Sequence, residues 1–165
     1  SKYSEIIRNL ILKKNSKLNY KTDLLLILAS RSENMEKIIN KNINKKIILI
    51  DRFTDSTKAY QHYGMGINLK LINKINNFII NKFKPDLTIL SLVNKSNLKK
   101  RLKIRSSLNK YDKFKYTFYQ KVQKGFVEIA KNKNKYIIID SNNNSINENA
   151  KIIIAKINKI INKKN

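Results

Sequence analysis

Three short apolar runs, separated by longer segments with helical periodicity, constrain the fold of this chain more than any other feature. The runs are Ile47–Ile50, Leu87–Leu92 and Tyr136–Ile139. Short and nearly continuous apolar runs are typical of strands that are buried on both faces, as in parallel sheets. Parallel strands need crossover connections, and the helical segments between successive runs can supply them. We therefore predict an α/β fold with a doubly wound parallel sheet and helices on both faces.

The intervening segments carry apolar residues at helical spacing. A chain of 165 residues with this alternation and no internal repeat is expected to form one domain over residues 1–165. The predicted helices span residues 4–12, about 22–43, 69–83, 97–103, 114–131 and 147–161.

The chain is strongly basic, with 36 Lys and Arg against 11 Asp and Glu and a formal charge of +25. Such a charge is common in proteins that bind nucleic acid or anionic membranes. Only five of the basic residues are Arg, which contacts phosphates and base edges best. Lys, Ile and Asn, which have A/T-rich codons, make up about half of the chain. We therefore attribute the charge to compositional drift and expect no specific nucleic-acid partner; a basic nucleic-acid-binding protein is the alternative.

Composition also limits the kinds of site and the location. The chain contains no Cys, so disulfides, thiolate metal sites and a thiol nucleophile are excluded. No apolar run approaches the roughly 20 residues of a transmembrane helix, and no signal-peptide pattern is present. These observations predict a cytoplasmic protein with no membrane partner.

Polar residues and glycines follow the first apolar run, where a strand would end. Asp51 and Arg52 come directly after Ile47–Ile50, followed by hydroxyl side chains and two of the three glycines. In open α/β sheets, ligands bind at the carboxyl ends of the strands. A carboxylate there can serve a cation or a water molecule, while a guanidinium fork can hold a phosphate. The pairing of Asp51 with Arg52 therefore indicates phosphate chemistry.

This stretch resembles a segment of the thymidylate kinases. Residues 51–57 read DRFTDST and are followed by Ala59-Tyr60-Gln61, which is similar to the DR(Y/F/H)xxSxxAYQ pattern of that family. The resemblance continues in order through the arginine-bearing segment 28–31, the KPDLT run at 84–88, a lid at about 105–112 and the helix at 118–122. It implies a P-loop-kinase-like fold and phosphoryl transfer from ATP to dTMP, giving dTDP for dTTP biosynthesis.

The resemblance implies a role for each matching residue on the acceptor side. Arg52 would hold the phosphate of dTMP, and Arg31 would meet its pyrimidine base. Ile27 stands where relatives carry an aromatic residue that stacks on the base, so it can pack on the ring without π-stacking. The other residues of the nucleoside pocket would be Thr57, Tyr60 and Gln61.

The resemblance also implies the donor side of the reaction. ATP and Mg²⁺ would be the cofactors, and Asp51 would position the metal or its water. In the lid, Arg105 and Lys110 would stabilise the transferring phosphoryl group, although Lys lacks the bidentate fork of Arg. A homodimer is expected on the same grounds.

One family motif is missing from the sequence. Relatives begin with a strand and a GxxGxGK(S/T) phosphate loop, and this chain contains no such motif. We therefore expect the first strands and the phosphate loop to be absent, and the chain to be an N-terminally incomplete kinase that is inactive alone. A catalytically silent nucleotide-binding remnant is the alternative.

Simpler roles are open to the same side chains. An Arg at the end of an apolar helix segment, as Arg31 is, can mark where the helix leaves the core. Thr57 can cap a helix, and Tyr60 can be a core aromatic residue. The basic lid can be a solvated surface.

Overall fold

The structure is a computed structural model of the chain, and it describes residues 1–104, 108–131 and 134–162. These residues form two compact units. The first unit comprises 1–84 and the described residues of 106–129, and the second comprises 85–104 and the described residues from 130 onwards. The single domain over residues 1–165 stays a prediction.

Each predicted helix is confirmed, with ends that move by a few residues. No helix in the described ranges is long and apolar enough to span a membrane. π-helical turns occupy Met35–Ile39 and Lys58–Gly64, and a 3₁₀ turn spans Lys110–Lys113. The helices are α1 (Lys2–Leu12), α2 (Tyr20–Asn34), α3 (Asn40–Asn42), α4 (Thr54–Thr57), α5 (Leu69–Ile80), α6 (Lys95–Ile104), α7 (Tyr116–Ala130) and α8 (Ile146–Ile161), and the strands are β1 (Thr88–Leu92) and β2 (Tyr136–Asp140).

The core of the first unit lies between α2 and α5. Leu24 and Leu28 on α2 pack with Ile72 on α5, and none of the three is more than 3% exposed. Burying each such side chain contributes about 1.5–3 kcal/mol. The helix α1 packs on α2, whose first turn is capped by the Asn19 side chain, which accepts from Thr22 N–H at 3.0 Å. The core therefore fixes the direction of α2, which carries Arg31 at its far end.

The apolar run Ile47–Ile50 does not form a strand, so this part of the prediction is wrong. The segment pairs with no strand in the described part of the chain, and Ile47 and Leu49 are 67% and 82% exposed. A buried strand needs hydrogen-bonding neighbours as well as an apolar sequence. Without such neighbours the run lies exposed and leads directly into Asp51 and Arg52.

The second unit contains a small parallel sheet. The strands β1 and β2 pair in parallel from Thr88 opposite Tyr136 to Leu92 opposite Asp140. Leu90 and Ile139 are its buried side chains. The structure therefore confirms an α/β fold with a parallel sheet, but the described residues form two of the three predicted strands and are mostly helical.

Candidate active site

The residues after Ile50 form a strained loop that leads into α4. Arg52 has a φ of 62°, a left-handed conformation that residues with a Cβ rarely adopt. Such a conformation costs on the order of 1–3 kcal/mol and is concentrated at functional sites. Its side chain is exposed, as is that of the neighbouring Asp51. The chain therefore turns sharply at the point where sequence patterns placed a phosphate-binding pair.

The guanidinium of Arg52 lies over the ring of Tyr60. Its central carbon is 5.2 Å from the ring centroid, within the range of a cation–π interaction. Partial desolvation is the largest single effect and lowers the pKa of Arg52, but the interactions with Tyr60, Asp51 and Tyr111 together outweigh it, so the pKa of Arg52 is raised. Arg52 is therefore a permanent cation with a preferred direction.

Tyr60 is itself held by a cluster of aromatic rings. It makes edge-to-face contacts at 5.8 Å with Tyr111, 5.9 Å with Phe118 and 6.3 Å with Phe126. Contacts of this kind contribute about 0.5–1.5 kcal/mol beyond the burial of area. Tyr60 is thus both a packed aromatic residue and the surface on which Arg52 rests.

Two glycines allow the turn that carries Tyr60 to approach α7 closely. A Cβ at Gly64 would lie 2.6 Å from the Phe118 ring, and one at Gly125 would lie 2.5 Å from the Tyr63 ring. Real Cβ atoms do not approach so closely, so a larger residue at either position would push the π-helical turn away from α7. This explains two of the three glycines in the chain; the third, Gly66, has a φ of 78°.

Arg31 is the centre of a second polar group in the same unit. Its Nη2 donates to Thr57 Oγ1 at 2.6 Å and to the Phe53 carbonyl at 3.2 Å. Its Nη1 donates to Asn76 Oδ1 at 2.6 Å. Thr57 and Asn76 are 1% and 2% exposed, so both hydrogen bonds are shielded from water. The structure thus brings two predicted site residues, Arg31 and Thr57, into direct contact.

Burial changes the ionisation of Arg31 without removing its charge at neutral pH. Desolvation lowers the pKa of Arg31 to about 10, and the nearby Asp55 carboxylate opposes that shift. The Phe53 ring, 5.5 Å from the guanidinium carbon, adds a cation–π contact. Arg31 is therefore a shielded cation with fixed hydrogen-bond directions.

Gln61 and Ile27 belong to the surroundings of these two cations. Gln61 is 1% exposed and its Nε2 lies 3.9 Å from Met65 Sδ. Ile27 is half-buried on α2, one helical turn before Arg31, so the two side chains share a face. Their roles toward a nucleoside stay predictions.

The structure describes only one of the two basic residues predicted to act from the lid, Arg105 and Lys110. Arg105 lies outside the described residues, together with Ser106 and Ser107. Lys110 is 8% exposed, and its Nζ lies 2.5 Å from Asp23 Oδ2. The ammonium of Lys110 is thus engaged by a buried carboxylate, and its role toward a phosphoryl group stays a prediction.

Asn76 and Asp23 are the functional candidates that sequence reasoning missed. Asn76 lies one helical turn after the buried Ile72 on α5, and a polar residue in an apolar stripe is a readable signal. Asp23 gave no such signal, because an acidic residue in the first turn of a helix is ordinary.

Comparison with known proteins identifies the family. The sequence model for thymidylate kinase matches residues 1–153. The chain belongs to the thymidylate kinase family. A thymidylate kinase of Mycoplasma capricolum is 38% identical over 162 residues, covering 93% of this chain and 76% of the relative. One from Acholeplasma laidlawii is 34% identical, covering 95% and 79%. The crystal structure of thymidylate kinase from Ehrlichia chaffeensis superposes with a TM-score of 0.69 at 32% identity, covering 93% of this chain and 72% of that one.

The carboxylate beside Arg52 fits one way in which a thymidylate kinase could hold magnesium. Mg²⁺ is commonly bound by one or two carboxylates together with substrate phosphates. Asp51 is an exposed carboxylate adjacent to the phosphate-binding candidate Arg52. Among the described residues, no group of three His, Asp or Glu side chains forms a metal cage of its own. A single exposed carboxylate beside a phosphate-binding candidate is the kind of ligand that Mg²⁺ shares with substrate phosphates.

Proposed function

We propose that this chain carries the acceptor site of a dTMP kinase, which transfers a phosphoryl group from ATP to dTMP and gives dTDP for dTTP biosynthesis. The observation that carries the proposal is the pair of cations in the first unit. Arg31 is held by Thr57 and Asn76, and Arg52 is held on Tyr60 in a strained turn. Membership of the thymidylate kinase family supplies the substrate class.

Arg52 binds the phosphate of dTMP in this proposal. Its planar fork can donate two parallel hydrogen bonds to phosphate oxygens, and its side chain is exposed and oriented by Tyr60. Thr57, Tyr60 and Gln61 line the nucleoside pocket beside it. The backbone at Arg52 is strained, and strain of this kind is retained where a side chain must be oriented for function, even though it lowers local stability.

Arg31 recognises the pyrimidine base, and Ile27 packs against the ring. Three of the donor positions of Arg31 are already directed by Thr57, Asn76 and the Phe53 carbonyl. A guanidinium has five N–H donors, so others are left for a base carbonyl. Because the group is buried, a mismatched base edge would leave a shielded donor unpaired, which disfavours it.

The donor side requires ATP and Mg²⁺, which supply the phosphoryl group and neutralise its charge. Catalysis of this kind is mostly positioning and electrostatic stabilisation. Asp51 would hold the metal directly or through water, and Arg105 would reach the phosphoryl group from the lid. The sequence contains no GxxGxGK(S/T) motif, so we expect the 165-residue chain alone to bind dTMP without phosphorylating it.

The remaining features of the proposal follow the same family. The two strands would belong to a doubly wound sheet with helices on both faces. The enzyme would be a cytoplasmic homodimer. The scarcity of Arg in a chain of +25 charge argues against a specific nucleic-acid partner.

Isothermal titration calorimetry tests the acceptor site. The chain is titrated with dTMP, thymidine and dCMP, and the expected order of affinity is dTMP first. Thymidine lacks the phosphate that Arg52 holds, and dCMP presents an amino group where Arg31 needs an acceptor. Equal affinities for dTMP and dCMP, or no binding of dTMP, would reject the assignment.

A further inference from the structure

Lys110 and Asp23 form a buried ion pair that links two distant parts of the first unit. Asp23 lies in the first turn of α2 and has no exposed surface, and the Lys110 side chain is 9% exposed. The Lys110 Nζ also donates to the Leu18 carbonyl at 3.3 Å. Two charges are removed from water at considerable cost, and a pair of this kind is weak evidence for stability by itself. We therefore ask which neighbouring residues the ion pair holds in position.

The pair fixes the 3₁₀ turn Lys110–Lys113 against α2. The start of that turn is also capped, because Asn109 Oδ1 accepts from Tyr111 N–H at 2.8 Å and Asp112 Oδ2 accepts from Asn109 N–H at 2.8 Å. Tyr119 donates its hydroxyl proton to the Tyr111 carbonyl at 2.7 Å. The backbone of Tyr111 is thus held on both sides, and Lys110 supplies the connection to α2.

Tyr111 continues the connection to the proposed phosphate site. Its ring meets the edge of Tyr60 at 5.8 Å, and the guanidinium of Arg52 rests on the Tyr60 ring at 5.2 Å. A continuous series of contacts therefore runs from Asp23 through Lys110 and Tyr111 to Tyr60 and Arg52. Arg52, at the end of this series, has a left-handed backbone and an exposed side chain. The direction of its guanidinium therefore depends on the Tyr60 ring beneath it.

We propose that Asp23 and Lys110 are positioning residues that orient Arg52 for the acceptor phosphate, acting through Tyr111 and Tyr60. The inference rests on the proposed function, because it takes Arg52 to be the phosphate ligand. It gives Lys110 a different role from a direct contact with the transferring phosphoryl group. The ammonium of Lys110 is occupied by Asp23 and the Leu18 carbonyl, and it acts by holding the 3₁₀ turn Lys110–Lys113 in place.

The test compares affinities for dTMP and thymidine in the variant Lys110→Met. The substitution keeps most of the side-chain length and removes the charge. We expect affinity for dTMP to fall about tenfold and affinity for thymidine to change by less than about twofold, because only the phosphate contact depends on Arg52. Lys113→Met is the matched control, since Lys113 lies in the same turn, is exposed and contacts Asn15 Oδ1 at 3.4 Å. The control should bind both ligands like the wild type.

A second variant separates positioning from stability. Lys110→Met alone leaves the Asp23 carboxylate buried without its ammonium partner, which can prevent folding. The double variant Asp23→Leu/Lys110→Met replaces the pair by two apolar side chains and should fold with a melting temperature close to that of the wild type. It should still lose affinity for dTMP, because an apolar pair does not fix the direction of Tyr111.

A ligand-free measurement completes the test. In NMR spectra the Nε–H signal of Arg52 should be shifted by the Tyr60 ring in the wild type and in Lys113→Met. It should move toward the position of free arginine in the Asp23→Leu/Lys110→Met variant. Equal losses of dTMP and thymidine affinity, or an unchanged Arg52 signal with unchanged dTMP affinity, would overturn the inference. If the wild type binds no dTMP, the proposed function fails, and the Arg52 signal alone decides whether the pair orients the guanidinium.

Discussion

The hydrogen bond between Arg31 and Thr57 gives the sharpest prediction for the acceptor site. Thr57→Val keeps the shape of the side chain and removes its hydroxyl oxygen, which accepts from Arg31 Nη2 at 2.6 Å. Thr57 is 1% exposed, so no water can easily replace that oxygen. The guanidinium would keep the Asn76 side chain and the Phe53 carbonyl as partners.

The magnitude follows from the charge of the donor and the remaining partners. A hydrogen bond to a charged group contributes about 1.5–3 kcal/mol. Because Nη2 retains the Phe53 carbonyl at 3.2 Å, the lower half of that range applies. For a protein of this size each kcal/mol shifts the melting temperature by about 2–4 °C, so a decrease of about 3–9 °C is expected. Loss of one anchor of Arg31 should also weaken dTMP binding by about tenfold.

Differential scanning calorimetry and dTMP titration provide the two readouts. Thr57→Ser restores the hydroxyl and should recover most of both losses. Ser56→Ala is the control, because Ser56 is adjacent in α4 but is not among the hydrogen-bond partners of Arg31 in the described residues. The reasoning is refuted if Thr57→Val melts and binds dTMP like the wild type, or if Thr57→Ser is as impaired as Thr57→Val.

Three further predictions concern other parts of the chain. Arg52→Lys should retain the fold but weaken dTMP binding, since charge survives and the bidentate fork does not; calorimetry showing unchanged affinity would remove Arg52 from the site. Gly125→Ala would place a methyl group 2.5 Å from the Tyr63 ring and should cost about 1–3 kcal/mol of stability, measured by denaturant unfolding; an unchanged midpoint would contradict this. The Ser145 N–H donates to the Glu148 carboxylate and holds the pKa of Glu148 below its ordinary value of 4.5. The capping stabilisation of α8 is therefore present above pH 4.5 and lost as the pH falls through the folded-state pKa; a carboxyl-carbon NMR titration with its midpoint at or above 4.5 would disprove it.

The helices were predictable from the sequence because their signal is local. Apolar residues at helical spacing predicted α5 and α7, and the structure moved their ends by only a few residues. Strand formation depends on neighbours elsewhere in the chain. The same kind of apolar run therefore predicted β1 correctly and predicted a strand wrongly at Ile47–Ile50. Nothing within four isoleucines and leucines reveals whether a partner strand lies beside them.

The site was predictable only where a motif marked it. The family pattern indicated Arg31, Arg52 and Thr57 as candidates, and the structure shows that Arg31 donates a hydrogen bond to Thr57. The ion pair of Asp23 with Lys110 joins residues that are distant in sequence, so it depends on tertiary packing that no local pattern encodes. Arg105 matched the pattern as well, but lies outside the described residues.

Formation of dTDP tests the central claim most directly. A segment that carries a GxxGxGK(S/T) phosphate loop, a motif the sequence lacks, is joined to the N-terminus of the chain, and dTDP production from ATP and dTMP is followed by chromatography. We predict turnover by the joined protein, a large loss of turnover when Arg52 is replaced by Lys, and no turnover by the 165-residue chain alone. A folded joined protein that binds both ATP and dTMP and forms no dTDP would contradict the account and favour a silent nucleotide-binding remnant.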